Sequence, residues 1–339
     1  MSAGSKPHIA LLVSKDTSAS VLYGLYDVLF SVGGVYPDMT LGQAGEEVLE
    51  VSIVAATDKP FRCVGNVPVE PQAGVDHVKN PDVVVVCDMY TPIHASPKGR
   101  YAKEVEWLRR MHAGGALVCS VCSGSILLAE AGLLDGKDAA AHWAYRDMFQ
   151  RCYPKTNYRV DSMLCLSAEP DRVITAGGVT AWHDLAVYLI GRYCGQRQAI
   201  ETAKVFLISG HAEGQLPYAV MTRPMENADN TIGACQEWIA DNYKVKNPVE
   251  SMVERSGLSA RTFARRFRAA TGYAPIDYIQ SLRIEEAKQM LETEAASVDE
   301  IGASVGYEDS SFFRRIFKRN VGLSPAAYRR KFQQIGSFG

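Results

Sequence analysis

Apolar residues in the first two-thirds of the chain fall in short, nearly continuous runs: HIALLVS, LEVSIVAAT, DVVVVCDM, GALVCSVC and RVITAGG. Continuous rather than alternating apolarity predicts parallel strands covered on both faces. Between the runs the spacing changes to that of helices. SVLYGLYDVLF follows the first run and YAKEVEWLRRMHAGG the third, with Gly114 and Gly115 as its stop. SILLAEAGLL follows the fourth run and TAWHDLAVYLIGRYCG the fifth. Such alternation predicts an α/β doubly wound parallel sheet of flavodoxin-like sandwich form. Ligands of these sheets bind beyond the carboxyl ends of the strands, at the topological switch point. The apolar stretch Ile9 to Val13 is only five residues long and no small-residue cleavage site follows it, so it reads as a first strand rather than a signal peptide.

From about Ala228 the strand pattern stops. ADNTIGACQEWIADNY has Ile232, Cys235, Trp238 and Ile239 on one face of a helix. In NPVESMVERSGLSARTFARRFRAATG, Pro248 starts a short helix, Gly257 breaks it and Ser259 suits the N-cap of the next. Phe263 and Phe267 point inward from that second helix, with Arg261 and Arg265 outside. Two short helices joined by a glycine turn, the second aromatic inside and basic outside, describe a helix-turn-helix. The pattern repeats in SVDEIGASVGYEDSSFFRRIFKRNVGLSP, where Phe317 matches Phe267 and Arg315 matches Arg265, each 50 residues on. Between the units, APIDYIQSLRIEEAKQMLET predicts a long helix with Ile279, Leu282, Ala287 and Leu291 for the core. A rigid connector of that length suits two recognition helices about one DNA turn apart, roughly 34 Å. The whole region is expected to be all-α, with two helix-turn-helix units. SGHAEGQLPYAVMTRPMENA, residues 209–228, holds two Gly and two Pro and reads as a linker. The expected organisation is a ligand-sensing domain over 1–208, the linker, and a DNA-binding domain over 229–339.

Charge refines this division. The 339 residues carry 36 Lys plus Arg and 38 Asp plus Glu, a net of −2 that argues against nucleic acid. Residues 1–226 hold 20 basic and 24 acidic groups, net −4, and residues 227–339 hold 16 and 14, net +2. Within the second part the cations are clustered without acids: Arg261, Arg265, Arg266 and Arg268, then Arg314, Arg315, Lys318 and Arg319, then Arg329 to Lys331. Blocks of this kind form an electrostatic footprint for phosphates. No run of about 18 apolar residues exists, so no membrane span is expected.

The eight cysteines sit mostly in apolar surroundings, as buried thiols do in a reducing cytoplasm. Cys119 and Cys122 form a C-x-x-C, but no second pair of ligands follows at zinc spacing. No metal and no cofactor are expected. In VCSVCSGS an apolar strand runs into Cys122, a small residue, Gly124 and an apolar helix, which is a nucleophile-elbow arrangement. The helix dipole at that position is expected to lower the thiol pKa. His142, twenty residues on, is either a base or a pocket wall.

CSVCSGSILLAEAGLLDGKDAAAHW and the ITAGG-x-x-A-x-x-D stretch at 174–184 resemble the class I glutamine amidotransferase-like (DJ-1/PfpI-type) domain over roughly residues 7–200. Peptidase-like and chaperone-like members place a His where this chain has Ser123. Isocyanide-hydratase-like members use an Asp near the position of Val21, and neither Asp16 nor Asp27 matches it. The resemblance therefore implies a ligand pocket on the elbow rather than catalysis, and the chain is read as a non-enzyme. Fold analogy places Val21, Tyr90, Cys122, Ser123, His142, Trp143 and Thr180 around that pocket, with Tyr90 or Trp143 available to an aromatic cage for a cation.

Residues 229–335 resemble the AraC/XylS DNA-binding domain. SARTFARRFR with TG, PIDYIQSLRIEEA, GYEDSSFFRR with FK, and GLSPAAYR fall in order. By that resemblance Arg261, Thr262, Ala264 and Arg265 read bases from the first recognition helix, and Ser310, Ser311, Arg314 and Arg315 from the second. Arginine at a base edge pairs bidentately with guanine, and Ala264 offers only its methyl to a thymine. Arg268, Lys318, Arg319 and the 329–331 cluster fall to phosphates. The combined domains resemble the GlxA/FtrA-type regulators, which respond to small amines, amino acids or quaternary ammonium compounds. The resemblance implies a cytoplasmic, nucleoid-associated homodimer joined through the N-terminal domain, binding duplex DNA and a small-molecule effector and activating RNA polymerase. Two alternatives stay open: a redox or electrophile sensor acting through Cys122, and a cysteine hydrolase or hydratase joined to a DNA-binding domain.

Overall fold

The computed structural model describes residues 6–167, 171–221 and 229–335. The chain divides into two compact units, Met1–Gln215 and Leu216–Gly339.

The first unit is built on a seven-stranded sheet. Its strands are β1 (His8–Leu12), β2 (Glu50–Ala55), β3 (Ala73–Gly74), β4 (Val83–Val86), β5 (Leu117–Val121), β6 (Leu164–Leu166) and β7 (Val173–Ala176). They lie in the order β6-β7-β5-β4-β1-β2-β3. All neighbours pair in parallel, with Ile9 opposite both Val51 and Val83, except the antiparallel edge strand β6. The sequence pattern predicted the five long strands; the short edge strands β3 and β6 leave too little apolar sequence to be read. Helices α1 (Ala19–Phe30), α2 (Ala102–Ala113), α3 (Ser125–Glu130), α4 (Trp182–Cys194) and α5 (Gln196–Val205) cover the two faces. Alternate strand residues feed separate cores: Ile9, Leu11 and Val13 pack with α1 and α4, whereas Ala10 and Leu12 pack with α2 and α3. That is why the strand sequences are apolar throughout. The first strand and first helix, expected from SVLYGLYDVLF, bury Val21, Leu22 and Leu25 completely.

The second unit is helical: α6 (Asn230–Asn242), α7 (Pro248–Ser256), α8 (Ala260–Thr271), α9 (Pro275–Thr293), α10 (Val298–Ser304), α11 (Ser310–Val321) and α12 (Pro325–Gln333). α8 and α11 are both 12 residues long and start 50 residues apart. Their ends are built alike. The Ser259 hydroxyl accepts from the Thr262 N–H at the start of α8, and the Asp309 carboxylate accepts from the Ser311 and Phe312 N–H groups at the start of α11. Gly272 and Gly322 end the two helices in left-handed conformations, φ 77° and 80°, that only glycine adopts without strain. Pro275 and Pro325 then open the following helices.

The buried side of α8 and of α11 is an aromatic ladder. Phe263 and Phe267 stand 5.3 Å apart, and Tyr278 meets Phe267 edge-on at 5.2 Å. Phe313 and Phe317 stand 5.8 Å apart, and Tyr328 meets Phe317 edge-on at 5.6 Å. All six rings are buried in one core that also takes Ile279, Leu282, Ala287 and Leu291 from the connector α9.

The segment read as a linker contributes to both units. Gln215 is buried, its Nε2 donating to Ala141 O at 2.8 Å in the first unit. Ala219 O accepts from Lys288 Nζ, and Tyr218 meets Phe332 edge-on at 5.5 Å, in the second. Residues 222–228 lie outside the described residues.

Replacing Phe267 or Phe317 by Ala should cost about 3–5 kcal/mol each, since both rings are fully buried. Denaturant unfolding of the helical unit should show similar losses for the two variants; a cost below about 1 kcal/mol for one of them would contradict the repeated ladder.

Candidate nucleic-acid interface and elbow site

On α8, Arg261, Ala264, Arg265 and Arg268 recur at helical spacing and are exposed, opposite buried Phe263, Phe267 and Thr271. Thr262 is half-buried and its hydroxyl accepts from Ser259 Oγ at 3.0 Å. On α11, Ser311, Arg314, Arg315 and Lys318 repeat the arrangement, with Ser310 half-buried and Arg319 exposed beside them. Arg261, Arg265, Arg268, Arg315 and Lys318 form no salt bridge among the described residues. Arg315 instead lies over the Phe312 ring, 5.2 Å from its centre. Arg314 pairs with Asp299 at 2.7 Å across an exposed surface, and Arg319 donates to Gln280 Oε1 at 2.9 Å.

Two basic residues from the sequence clusters are structural. Arg266 grips Asp229 with two parallel bonds, Nε at 2.8 Å and Nη2 at 2.7 Å. Asp229 is also the N-cap of α6, accepting from the Ile232 N–H, so the pair ties α8 to α6. The guanidinium holds the Asp229 carboxyl below the usual carboxylate range. Arg329, expected at phosphates, is half-buried and donates to Ala296 O in the connection between α9 and α10, which removes it from the cationic face.

In the α/β unit, β5 turns sharply at Cys122, whose φ of 54° is left-handed. Gly124 permits the turn. A Cβ there would stand 2.6 and 2.7 Å from the carbonyl oxygens of Val86 and Cys87 at the end of β4. Ser123 is buried and its hydroxyl accepts from the Met89 N–H at 3.0 Å. Ser125 donates to Ala140 O at 2.8 Å. The elbow is thus fixed by short polar bonds to the neighbouring strand ends.

The expected lowering of the Cys122 pKa is overturned. Burial pushes the thiol up to about 12, the Asp88 charge adds to this, and the Ser123 hydrogen bonds oppose it. Only 5% of Cys122 is exposed. Desolvation disfavours thiolate more strongly than a six-residue helix end favours it. Asp88, which the sequence reading passed over, is itself buried and pushed up by burial, held by the backbone N–H and hydroxyl of Ser18.

The other expected pocket residues divide. Val21 shares the core with Cys122. His142 is half-buried, its Nδ1 accepting from the Ala144 N–H at 3.2 Å, and burial lowers its pKa. Its ring lies 4.9 Å from Trp143 and edge-on to Tyr145 at 6.4 Å. The Trp143 N–H donates to Gln215 Oε1 at 3.1 Å. Tyr90 is 60% exposed, and Thr180 is exposed in the turn before α4. Tyr145, also missed from sequence, donates to Thr91 O at 3.0 Å and is pushed up to about 12 by burial, with Cys122 and Tyr90 among its electrostatic neighbours. Among the described residues, no three His, Cys, Asp or Glu side chains gather to hold a metal ion, and no single helix is long and apolar enough to cross a membrane.

Residues 19–191 match the DJ-1/PfpI family, half of the chain, and residues 252–331 match a helix-turn-helix domain. The chain belongs to the DJ-1/PfpI family, with an AraC-type helix-turn-helix domain behind it. A similar relative is the HTH-type transcriptional regulator CdhR of Pseudomonas aeruginosa, 25% identical over 314 residues covering 90% of this chain and 88% of that one. The HTH-type transcriptional regulator GlxA of Rhizobium meliloti is 25% identical over 228 residues, 64% of this chain and 65% of that one. A solved protein from Vibrio parahaemolyticus, described as a candidate transcriptional regulator, covers 60% of this chain and 100% of its own, with TM-score 0.50 and 16% identity, a likeness of fold alone. This DJ-1/PfpI protein is a helix-turn-helix transcriptional regulator.

Because burial rather than a partner sets the Cys122 thiol, iodoacetamide at pH 8 should leave Cys122 unmodified in the folded chain while labelling it after denaturation. Mass spectrometry of the two states checks this; rapid native labelling of Cys122 would contradict it and restore thiol sensing.

Proposed function

We propose that the protein is a one-component regulator that reads two successive major grooves with α8 and α11 under control of a small effector bound by its α/β unit. The observation that carries the reading is the pair of cation-faced helices, 50 residues apart and each seated on the same aromatic ladder. Arg261, Arg265, Arg314 and Arg315 read guanine edges, Ser310, Ser311 and Thr262 make hydroxyl contacts, and Ala264 meets a thymine methyl. Arg268, Lys318 and Arg319 fix the protein on phosphates. Arg314 exchanges its exposed pair with Asp299 for DNA at little cost, since exposed ion pairs contribute about 0–1 kcal/mol.

The effector is a small amine, amino acid or quaternary ammonium compound, and its binding changes operator affinity or polymerase contact by favouring one conformation. The protein acts as an activator, working with RNA polymerase in the cytoplasm. Two copies join through the α/β units, where Phe30, Met39, Leu41 and Ile200 leave apolar side chains exposed. Catalysis is not part of the reading: burial holds the Cys122 thiol in its protonated form, and the nearby Asp88 charge disfavours the thiolate further.

Arg265→Ala with Arg315→Ala should weaken operator binding by roughly 30-fold or more while leaving binding to unrelated duplex less affected, because each lost bidentate contact costs about 1–3 kcal/mol. Arg268→Ala or Lys318→Ala should weaken all sequences alike and lower the salt slope by about one ion. Gel-shift titrations at several salt concentrations separate these outcomes. Full operator specificity in the Arg265/Arg315 double variant would sink the assignment of α8 and α11 as readers.

A further inference from the structure

The α/β unit holds a cavity of ≈ 360 Å³ away from the elbow. It lies over the carboxyl ends of β1 and β2 and against the start of α2, with β4 between β1 and the elbow strand β5. Its size is within the range of small-molecule sites, roughly 300–1,000 Å³, and it lies at the carboxyl ends of the strands, the edge on which open parallel sheets bind ligands.

The charges around the cavity do not balance. Asp16 is neutralised: Arg100 Nη2 lies 2.9 Å from it and the Tyr101 hydroxyl donates to it at 2.9 Å. Lys103 is engaged elsewhere at close range, bonding Asp76 and Ala56 O at 2.7 Å each. Glu104 remains. The residue lines the cavity, is 7% exposed, and enters no ion pair among the described residues. Burial pushes its pKa up and outweighs the opposing pull of its own backbone N–H and of the Lys103 charge. A buried acidic residue bordering an open volume is stabilised by a ligand that supplies charge and N–H donors. Lys15 and Lys59 line the same cavity from exposed positions, so the opposite end of a ligand meets positive charge, and half-buried Phe61 supplies apolar wall.

We propose that this cavity is the effector site of the α/β unit and takes a small zwitterion, its primary ammonium or guanidinium group on Glu104 and its carboxylate toward Lys15 and Lys59. The inference rests on the sensor reading for its biological meaning. It moves the binding residues from the elbow to the ends of β1 and β2, and it favours N–H cations over quaternary ones because Glu104 needs donors.

Thermal shift of the full chain tests it with γ-aminobutyrate and L-arginine as probes, γ-butyrobetaine as a cation without donors, butyrate without a cation and butylamine without a carboxylate. At about a hundredfold excess over Kd, one or both amino acids should raise the melting temperature by about 5 °C or more. γ-Butyrobetaine and butylamine should give smaller shifts and butyrate none. Glu104→Gln should abolish the shift and Glu104→Asp retain part of it. Lys15→Ala with Lys59→Ala, both on the surface, should weaken the amino acids and leave butylamine unchanged, which tests the site even where a Glu104 variant folds poorly. Cys122→Ala should respond like the parent. No shift with either amino acid overturns the site, as does a shift kept by Glu104→Gln or lost in Cys122→Ala. Glu104-dependent binding that leaves operator affinity and transcription unchanged supports the site and overturns the sensor reading.

Discussion

A helix that presents several cations on one face repels itself and binds water there, so what holds it in place must come from the other face. In this protein that hold is the burial of two phenylalanines per recognition helix, each pair closed edge-on by a tyrosine from the following helix. Burying a Phe side chain contributes about 1.5–3 kcal/mol, and edge-to-face pairs add about 0.5–1.5 kcal/mol. Against this, the mutual repulsion of exposed arginines in water is small and screened. The cationic face is therefore free to be selected for DNA rather than for stability. The connector α9 belongs to the same core, so the spacing of the two helices is a property of packing and not of a flexible joint.

The elbow shows the opposite balance. A thiol at the start of a helix suggests a stabilised thiolate, but a favourable dipole contributes typically 0.3–1 kcal/mol, up to about 2 when partly buried. Raising a thiol from 9 to about 12 corresponds to about 4 kcal/mol in favour of the neutral form. Burial wins, and Asp88, buried and hydrogen-bonded to Ser18, adds to it. The same turn geometry that exposes a nucleophile in an open site encloses it here, because Gly124 lets the chain settle against the carbonyls of β4.

What could be read along the chain was what repeats or alternates locally. The five long strands, the 50-residue period, the caps at Ser259 and Pro248 and the inward phenylalanines are all set by neighbours within a turn or two. Contacts between distant residues were not legible. Asp88 depends on Ser18, 70 residues away, and Arg266 depends on Asp229, 37 residues away. Arg266 sits in the basic cluster with Arg265 and Arg268, and although helical spacing sets it off their face, nothing local names Asp229 as its partner. Only the fold, by bringing the cap of α6 beside α8, turns it from a surface cation into a clamp. Glu104 looks like an ordinary first-turn acid until the ends of β1 and β2 close around it.

The arginines are thus sorted by partner rather than by position in sequence. A bidentate, partly shielded pair such as Arg266 with Asp229 is tied to the fold and unavailable to phosphate. Arg314 with Asp299 is a single contact between two exposed groups and is worth less than a bidentate guanine contact, so it ties Arg314 to the fold only weakly. Arg261, Arg265 and Arg315 form no ion pair among the described residues. A net charge of +2 across residues 227–339 understates the binding surface for this reason: the acids are spent on caps, clamps and the connector, while the cations on α8 and α11 stay in water until a phosphate or a base edge replaces it.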